Sequence, residues 1–139
     1  MEFPNCINYL LTVAQHEVFQ EFSARLAPFG VTPGQYGVLN CLWSAGSATP
    51  KEIGQALRLE NSTVSGVLDR MQKRGFIDRV LDPNDMRSIQ VVATEAGMAI
   101  REDVLRTVEE LNIRILEGFS PEQQDILRAS LQSIGKIQE

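Results

Sequence analysis

The chain contains little of the material from which metal sites, disulfide frameworks and membrane spans are built. It has two cysteines, Cys6 and Cys41, and a single histidine, His16, in 139 residues. Two cysteines are too few for a disulfide scaffold, and one histidine permits no ordinary His/Cys zinc spacing. No apolar run approaches the ~18–20 residues of a membrane helix, and the N-terminus lacks the basic start of a secretion signal. We therefore expect a cytoplasmic protein without a metal or a cofactor.

Aromatic residues are also scarce, at 6% of the chain, whereas hydrophobic residues reach 43%. This hydrophobic content is enough to bury a core, which must be mostly aliphatic and so suits packed helices. The length favours a single domain over residues 1–139, and no internal repeat, low-complexity tract or linker is visible.

The chain also lacks the excess of positive charge that is usual for a nucleic-acid-binding protein, because its net charge is −5. The charge is uneven, however. Residues 50–90 carry seven basic and six acidic side chains, whereas residues 1–49 and 91–139 have net charges of −2 and −4. We expect modest non-specific affinity for DNA in the middle segment and repulsion of DNA from the other faces.

Apolar residues at intervals of three and four predict helices over most of the chain. The first helix is predicted from about Pro4 to Leu26. Thr32 and Thr49 each precede a proline and mark the starts of a second and a third helix, because threonine caps a helix and proline is favoured at its first position. A fourth helix is predicted from Asn61, as its N-cap, to Arg74.

The pattern after the fourth helix changes to short β-branched runs, at residues 76–81 and 88–93, around a turn at residues 82–85. This predicts a β-hairpin. A long fifth helix is then predicted from Thr94 to about Phe119, roughly 35 Å in length. The last helix is capped by Ser120, with Gln123 completing a capping box.

A short helix, a turn, a second helix and a hairpin follow one another in the order of a winged helix-turn-helix, here over residues 32–93. The second helix of such a pair can enter the major groove of DNA. Small polar residues near its start allow close approach to the bases, and later cations can bind phosphates; these candidates are Ser62, Thr63, Ser65, Gly66, Arg70, Lys73 and Arg74. Arg87, near the hairpin tip, can reach the minor groove.

The long helices in residues 1–31 and 94–139 need a separate explanation, because the helix-turn-helix alone cannot cover their apolar faces. We expect them to pack together and against a second copy in a homodimer. Such a dimer places two recognition helices ~34 Å apart, as a palindromic site requires. A monomer that folds the long helices on themselves is the alternative.

Several segments resemble the MarR family of bacterial regulators. They cover the start of the second helix, the recognition helix, the start of the wing, its tip, and the segment after it: Val31–Leu39, Asn61–Met71, Lys73–Arg79, Asp82–Ser88 and Ala93–Gly97. The resemblance extends in weaker form across nearly the whole chain. It implies a mainly α fold with a small β-hairpin wing, in which a winged helix-turn-helix is flanked by long N- and C-terminal dimerisation helices.

The resemblance also implies DNA contacts from the recognition helix, at Ser62, Thr63, Ser65 and Arg70. It implies that Arg87 enters the minor groove while Asp85 holds its guanidinium. Arg79, where the chain enters the wing, joins the DNA-binding candidates. Met86 departs from the family pattern, which often has a second arginine there, so each wing has one cation fewer.

Members of the family usually repress nearby genes and release DNA in response to a small aromatic acid, a related thioester or an oxidant. By this analogy the effector pocket lies between the DNA-binding and dimer regions and is lined from the first, second and fifth helices. The candidate effector-binding residues are His16, Tyr36, Asn40 and Trp43.

Two other functions stay open. In a thiol-based redox sensor, the family's cysteine position falls on Asn8 and its tyrosine positions on Phe22 and Pro33, so Cys6 is near but misplaced. The chain can also be a winged-helix interaction module that does not bind DNA, as its acidity suggests.

Catalysis by a cysteine with His16 is disfavoured. Cys6 lies ~15 Å from His16 along a helix, although spacing alone does not exclude Cys41. No oxyanion loop or phosphate-binding glycine loop is visible, so we expect no enzyme activity.

Overall fold

The computed structural model of the protein describes residues 2–137. Over these residues the chain forms seven α-helices and a small antiparallel sheet with strand order β1-β3-β2. The helices are α1 Ile7–Leu26, α2 Pro33–Ala45, α3 Pro50–Leu57, α4 Asn61–Lys73, α5 Glu95–Ala99, α6 Arg101–Leu116 and α7 Pro121–Ile134. The strands are β1 Ser47–Ala48, β2 Ile77–Asp82 and β3 Asp85–Ala93. This architecture confirms the mainly α fold with a β-hairpin wing. None of the described helices is long and apolar enough to cross a membrane.

Local sequence signals account for three of the helix starts. Thr32, Thr49 and Ser120 each accept a hydrogen bond from the backbone N–H three residues later, and each is followed by proline. In all three cases the side-chain oxygen of the Glu or Gln at that later position accepts the backbone N–H of the capping residue, which completes a capping box. The predicted caps of the second, third and last helices are therefore confirmed.

Two predicted helix starts are wrong. Pro4 lies in a 3₁₀ turn, Phe3–Asn5, and α1 begins only at Ile7 because the backbone of Cys6 is extended. Asn61 is not the N-cap of α4 but its first residue. Glu60 holds the cap position, without a side-chain capping bond, and its carbonyl oxygen already accepts the N–H of Val64 at 3.0 Å.

The predicted start of the fifth helix at Thr94 is confirmed, because the Thr94 hydroxyl accepts the N–H of Gly97, but its predicted length is wrong. The helix is divided into α5 and α6 at Ile100. Helix α5 packs on β3, whereas α6 packs on α1. The indole N–H of Trp43 donates to the carbonyl oxygen of Gly97 at 3.1 Å, which fixes α5 on the winged region. Because the two helices pack on different elements, the run of helical backbone hydrogen bonds is interrupted between them.

The predicted hairpin is confirmed, but its strands come closer to the turn than expected, since Asp82 pairs with Asp85. The structure adds the strand β1, which pairs with β3 through Ser47 and Ala48. A two-residue strand is too short to produce the alternation by which strands are recognised in a sequence.

One hydrophobic core holds the winged region together. Its fully buried side chains come from α2, α3, α4 and the sheet, with contributions from the end of α1 and from α6: Leu26, Val38, Leu39, Leu42, Ile53, Val64, Leu68, Met71, Ile77, Val91 and Val104. Helix α7, by contrast, has no buried residue. The core thus fixes α4 and the wing, while α7 projects from it.

Candidate nucleic-acid interface

Helix α4 has one buried side and one exposed side. Val64, Leu68 and Met71 anchor it in the core. The exposed side carries most of the predicted contact residues, namely Ser62, Thr63, Ser65, Arg70 and Lys73. Because the residues at its exposed start are short, the backbone of α4 can come close to a flat or concave partner.

Gly66 is half-buried on α4 and leaves room for Arg70. A Cβ atom built at Gly66 would lie 3.4 Å from Nη1 of Arg70. The guanidinium therefore lies back along the helix beside the glycine, one turn before its own Cα. A phosphate located along this side of α4 would meet both a backbone without a side chain and a positive charge.

A groove of about 590 Å³ separates α4 from the wing. Its lining combines hydroxyl, cationic and apolar groups from α3, α4 and the hairpin, including Pro50, Lys51, Asn61, Ser65, Arg79, Arg87 and Ile89. The structure thus brings Ser65, Arg79 and Arg87 to one groove. Pro50, Lys51, Asn61 and Ile89 were not predicted as site residues. The short connection between α3 and α4 indicates that the starts of the two helices lie close together, and this could have identified Pro50, Lys51 and Asn61.

Arg87 projects from the wing, with 96% of its side chain exposed. Its backbone N–H donates to Oδ1 of Asp85 at 3.0 Å, and its Nε lies 3.9 Å from the same oxygen. Asp82 stabilises the other side of the turn by accepting the N–H of Asn84 at 2.9 Å. Asp85 is therefore placed to orient Arg87, while solvent leaves the ion pair weak.

Arg79 makes its bonds within the protein. Its Nη1 donates to Oδ1 of Asp69 at 2.9 Å and to Oε1 of Gln72 at 3.1 Å. Both acceptors belong to α4, so Arg79 ties β2 to the recognition helix and is half-buried while doing so. Its charge is already compensated on the protein side.

Arg74 lines a different cavity, of about 240 Å³, at the junction of α1 and α2. The chain turns there at Gly30, whose φ of +80° is a conformation that glycine adopts readily. A Cβ atom at Gly30 would lie only 3.2 Å from Nη2 of Arg74. The remaining walls are mainly apolar and include Phe19, Ala27, Val31 and Pro33.

The four predicted effector-binding residues occupy unlike environments. His16 and Asn40 are exposed, and the His16 ring is paired with the side chain of Gln20 at 2.9 Å. Tyr36 is half-buried, and burial raises its pKa above the ordinary value for tyrosine. Trp43 is 8% exposed and its indole N–H is engaged by Gly97. Trp43 thus serves as a core residue, and none of the four lines the cavity beside Arg74.

Both cysteines are free and half-buried. Cys6 lies at the N-cap position of α1. Burial raises the pKa of the Cys41 thiol, which lowers its thiolate fraction at neutral pH. Among residues 2–137 no cluster of three or more His, Cys, Asp or Glu side chains is arranged to hold a metal ion.

These features define a winged helix-turn-helix protein: a core-anchored helix with a polar outer side, flanked by a hairpin that carries a projecting arginine. Comparison with known proteins agrees. The MarR family matches residues 31–89. A curated relative, the organic hydroperoxide resistance transcriptional regulator of Bacillus subtilis, is 30% identical over 73% of this chain and 69% of its own length.

Two solved structures have the same fold. A mutant MarR from Escherichia coli, complexed with operator DNA, has a TM-score of 0.86 and 24% identity, covering 92% of each chain. CouR from Rhodococcus jostii, bound to p-coumaroyl-CoA, has a TM-score of 0.85 and 26% identity, covering 100% of this chain and 98% of that one. The chain belongs to the MarR family of transcriptional regulators.

Proposed function

We propose that this regulator binds a palindromic double-stranded DNA operator as a homodimer, represses transcription there, and releases the DNA when a small organic acid binds. The observation that carries the proposal is the groove between α4 and the wing, to which Ser65 of α4 and Arg87 of the wing both contribute. The acidity of the remaining chain restricts DNA to this side. Location in the cytoplasm stays a prediction.

The proposed DNA contacts divide into three kinds. Small residues at the start of α4 approach base edges in the major groove: Ser62, Thr63, Ser65 and Gly66. Arg70 and Lys73 bind phosphates, and Arg87, oriented by Asp85, enters the adjacent minor groove. Arg79 acts indirectly, because its bonds to Asp69 and Gln72 hold the wing against α4.

Unpaired apolar surface supports the homodimer. Large hydrophobic side chains of the first and last helices are exposed within this chain, at Ile7, Leu10, Val13, Phe19, Ile126, Leu131 and Ile134. Exposed apolar surface on this scale marks an interaction site, and a second copy of the same helices is self-complementary under two-fold symmetry. We therefore assign residues 1–31 and 94–139 to dimerisation and residues 32–93 to DNA binding.

The cavity beside Arg74 supports a small-molecule effector. It lies between α1, from the dimerisation region, and α2 and α4, from the DNA-binding region. Its apolar walls suit an aromatic or aliphatic body, and Arg74 suits a carboxylate. A ligand there would change how α4 is held relative to α1 and so favour one dimer geometry over another. We propose this role for Arg74 in place of phosphate binding.

The DNA contacts are tested with the variant Arg87→Ala. DNA is first selected from a random duplex pool with the wild-type protein, and affinity is then measured by fluorescence anisotropy at several salt concentrations. Loss of Arg87 should weaken binding at least tenfold, by analogy with the ~1–3 kcal/mol of a specific arginine contact. The control is Arg101→Ala, an exposed arginine at the start of α6. Equal affinities of the two variants would refute the role of Arg87.

The same measurements separate the other functions. A protein that is dimeric but binds no duplex at low ionic strength would be an interaction module. Redox sensing is kept open by the free thiol of Cys6 and by the similarity to a hydroperoxide resistance regulator. If peroxide releases DNA from the wild-type protein and not from Cys6→Ser, the trigger is oxidation rather than a ligand.

A further inference from the structure

Arg58, at the end of α3, has an unusual backbone for its residue type. Its φ and ψ of 55° and 46° are left-handed, and its N–H closes the last turn of α3. Glycine and asparagine adopt this conformation most readily, whereas a long side chain gains nothing from it. The presence of arginine there therefore points to a role for its side chain.

The side chain of Arg58 reaches the opposite end of the chain. Its Nη1 donates to the carbonyl oxygen of Gly135, and its Nη2 donates to that of Lys136 at 2.8 Å. These two carbonyl groups end α7. A guanidinium is well suited to this position, because it presents two parallel donors and because positive charge is favourable at a helix C-terminus.

The backbone at the end of α7 closes the helix without using the carbonyl groups of Gly135 and Lys136. Lys136 is left-handed, with a φ of 56°. The N–H of Lys136 bonds to the carbonyl of Ser133, and the N–H of Ile137 bonds to that of Gln132. This closure uses the preceding carbonyl groups and leaves those of Gly135 and Lys136 free to accept from Arg58.

Few other polar contacts hold α7 within the chain. At its start, the Gln124 amide donates to the carbonyl oxygens of Leu116 and Phe119, each at 3.0 Å. Over residues 2–137, the side-chain hydrogen bonds that join α7 to the DNA-binding region all come from Arg58. Arg58 is also three residues before the start of α4. Arg58 therefore lies on the short connection that joins α3 to the recognition helix.

We propose that Arg58 is a positioning residue for DNA binding: by holding the end of α7, it sets the angle between the helix-turn-helix and the dimerisation helices and so selects the spacing of the two DNA half-sites. The inference rests on the proposed function, in which a dimer binds two half-sites. One base pair changes their separation by about 3.4 Å, so a shift of about 2 Å in each protomer is enough to alter the preferred spacing.

The variant Arg58→Asn removes the side-chain bonds and keeps a residue suited to the left-handed backbone, so it should fold. Affinity is measured for duplexes whose half-sites are separated by the selected spacing and by one or two base pairs more or fewer. We expect about a tenfold loss at the selected spacing and less than a twofold change at the others, so that the preference becomes flat. Arg101→Asn is the charge-matched control.

Two results would overturn the proposal. One is an unchanged spacing preference in Arg58→Asn. The other is a uniform loss at all spacings with a shallower salt dependence, which would make Arg58 a phosphate ligand. A chain ending at Ile134 should reproduce the flat preference, and Arg58→Asn should then have no additional effect, because the two changes remove the same contact.

Hydrogen exchange tests the contact without DNA. The amides of Lys136 and Ile137 should exchange about tenfold faster in Arg58→Asn than in the wild-type protein, and equal rates would contradict the contact itself. Wild-type protein that binds no duplex would instead overturn the proposed function, while these rates would still decide whether Arg58 holds α7.

Discussion

Replacing Gly97 by alanine tests how α5 is joined to the winged region. A Cβ atom at Gly97 would overlap the carbonyl oxygen of Phe76 and lie 3.4 Å from the Cβ of Ala93. The obstacle is backbone, which cannot rotate away as a side chain can. Helix α5 would have to move by about 1 Å to restore van der Waals contact. That movement pulls the carbonyl of Gly97 from the indole N–H of Trp43, now 3.1 Å away.

The expected destabilisation of Gly97→Ala is about 3 kcal/mol. Overpacking at a rigid site costs about 1–3 kcal/mol, and the lost Trp43 hydrogen bond about 1 kcal/mol. For a chain of 139 residues this corresponds to a fall in Tm of about 10 °C. The single tryptophan of the chain lies at the joint, so its fluorescence reports the transition directly.

Urea unfolding of Gly97→Ala should be measured at one fixed protein concentration, since dimer stability depends on concentration. The matched control is Gly118→Ala, because a Cβ at Gly118 meets no atom within 4 Å and its φ is not positive. The control should stay within about 0.5 kcal/mol of the wild-type protein. If Gly97→Ala also stays within that range, the close approach of α5 to Phe76 is not a constraint on this fold.

Three further predictions follow from the wing, a helix cap and a thiol. Met86→Arg adds a cation to each exposed wing tip, so the slope of log affinity against log salt should steepen by about 2 per dimer, whereas Met98→Arg should leave it unchanged. Hydrogen bonds with the backbone and side chain of Thr49 lower the pKa of Glu52. The Glu52 carboxylate therefore contributes stability at neutral pH, and this contribution is lost as the pH falls through the lowered pKa. The urea midpoint should accordingly fall less between pH 7 and pH 3 in Glu52→Gln than in the wild-type protein. Burial raises the pKa of Cys41, so in a Cys6→Ser background iodoacetamide should alkylate it more slowly at pH 8 than in the urea-unfolded chain, and equal rates would contradict this.

Some site residues look alike in the sequence and differ in the structure. Arg74, Arg79 and Arg87 were all predicted to contact DNA. Arg87 projects from the wing, Arg79 is bonded to Asp69, and Arg74 lies beside Gly30. Arg87 pairs with Asp85 of its own strand, a contact that the sequence indicates, whereas Arg79 and Arg74 meet residues of other elements, which sequence separation does not reveal.

The sequence by itself determined the helix caps at Thr32, Thr49 and Ser120, the hairpin, the polar side of α4 and the membership of the MarR family. The caps and the hairpin turn depend on backbone preferences and hydrogen bonds among residues within about four positions of one another, and the polar side of α4 follows from the helical period. The family membership follows from the residue types of the motifs. The break at Ile100 and the bond from Arg58 to the end of α7 were decided only by the tertiary structure. At Ile100 the apolar period of the sequence continues without a break, but α5 packs on β3 and α6 packs on α1, so the helix is interrupted between them. The groups that Arg58 bonds to lie 77 and 78 residues away in the sequence.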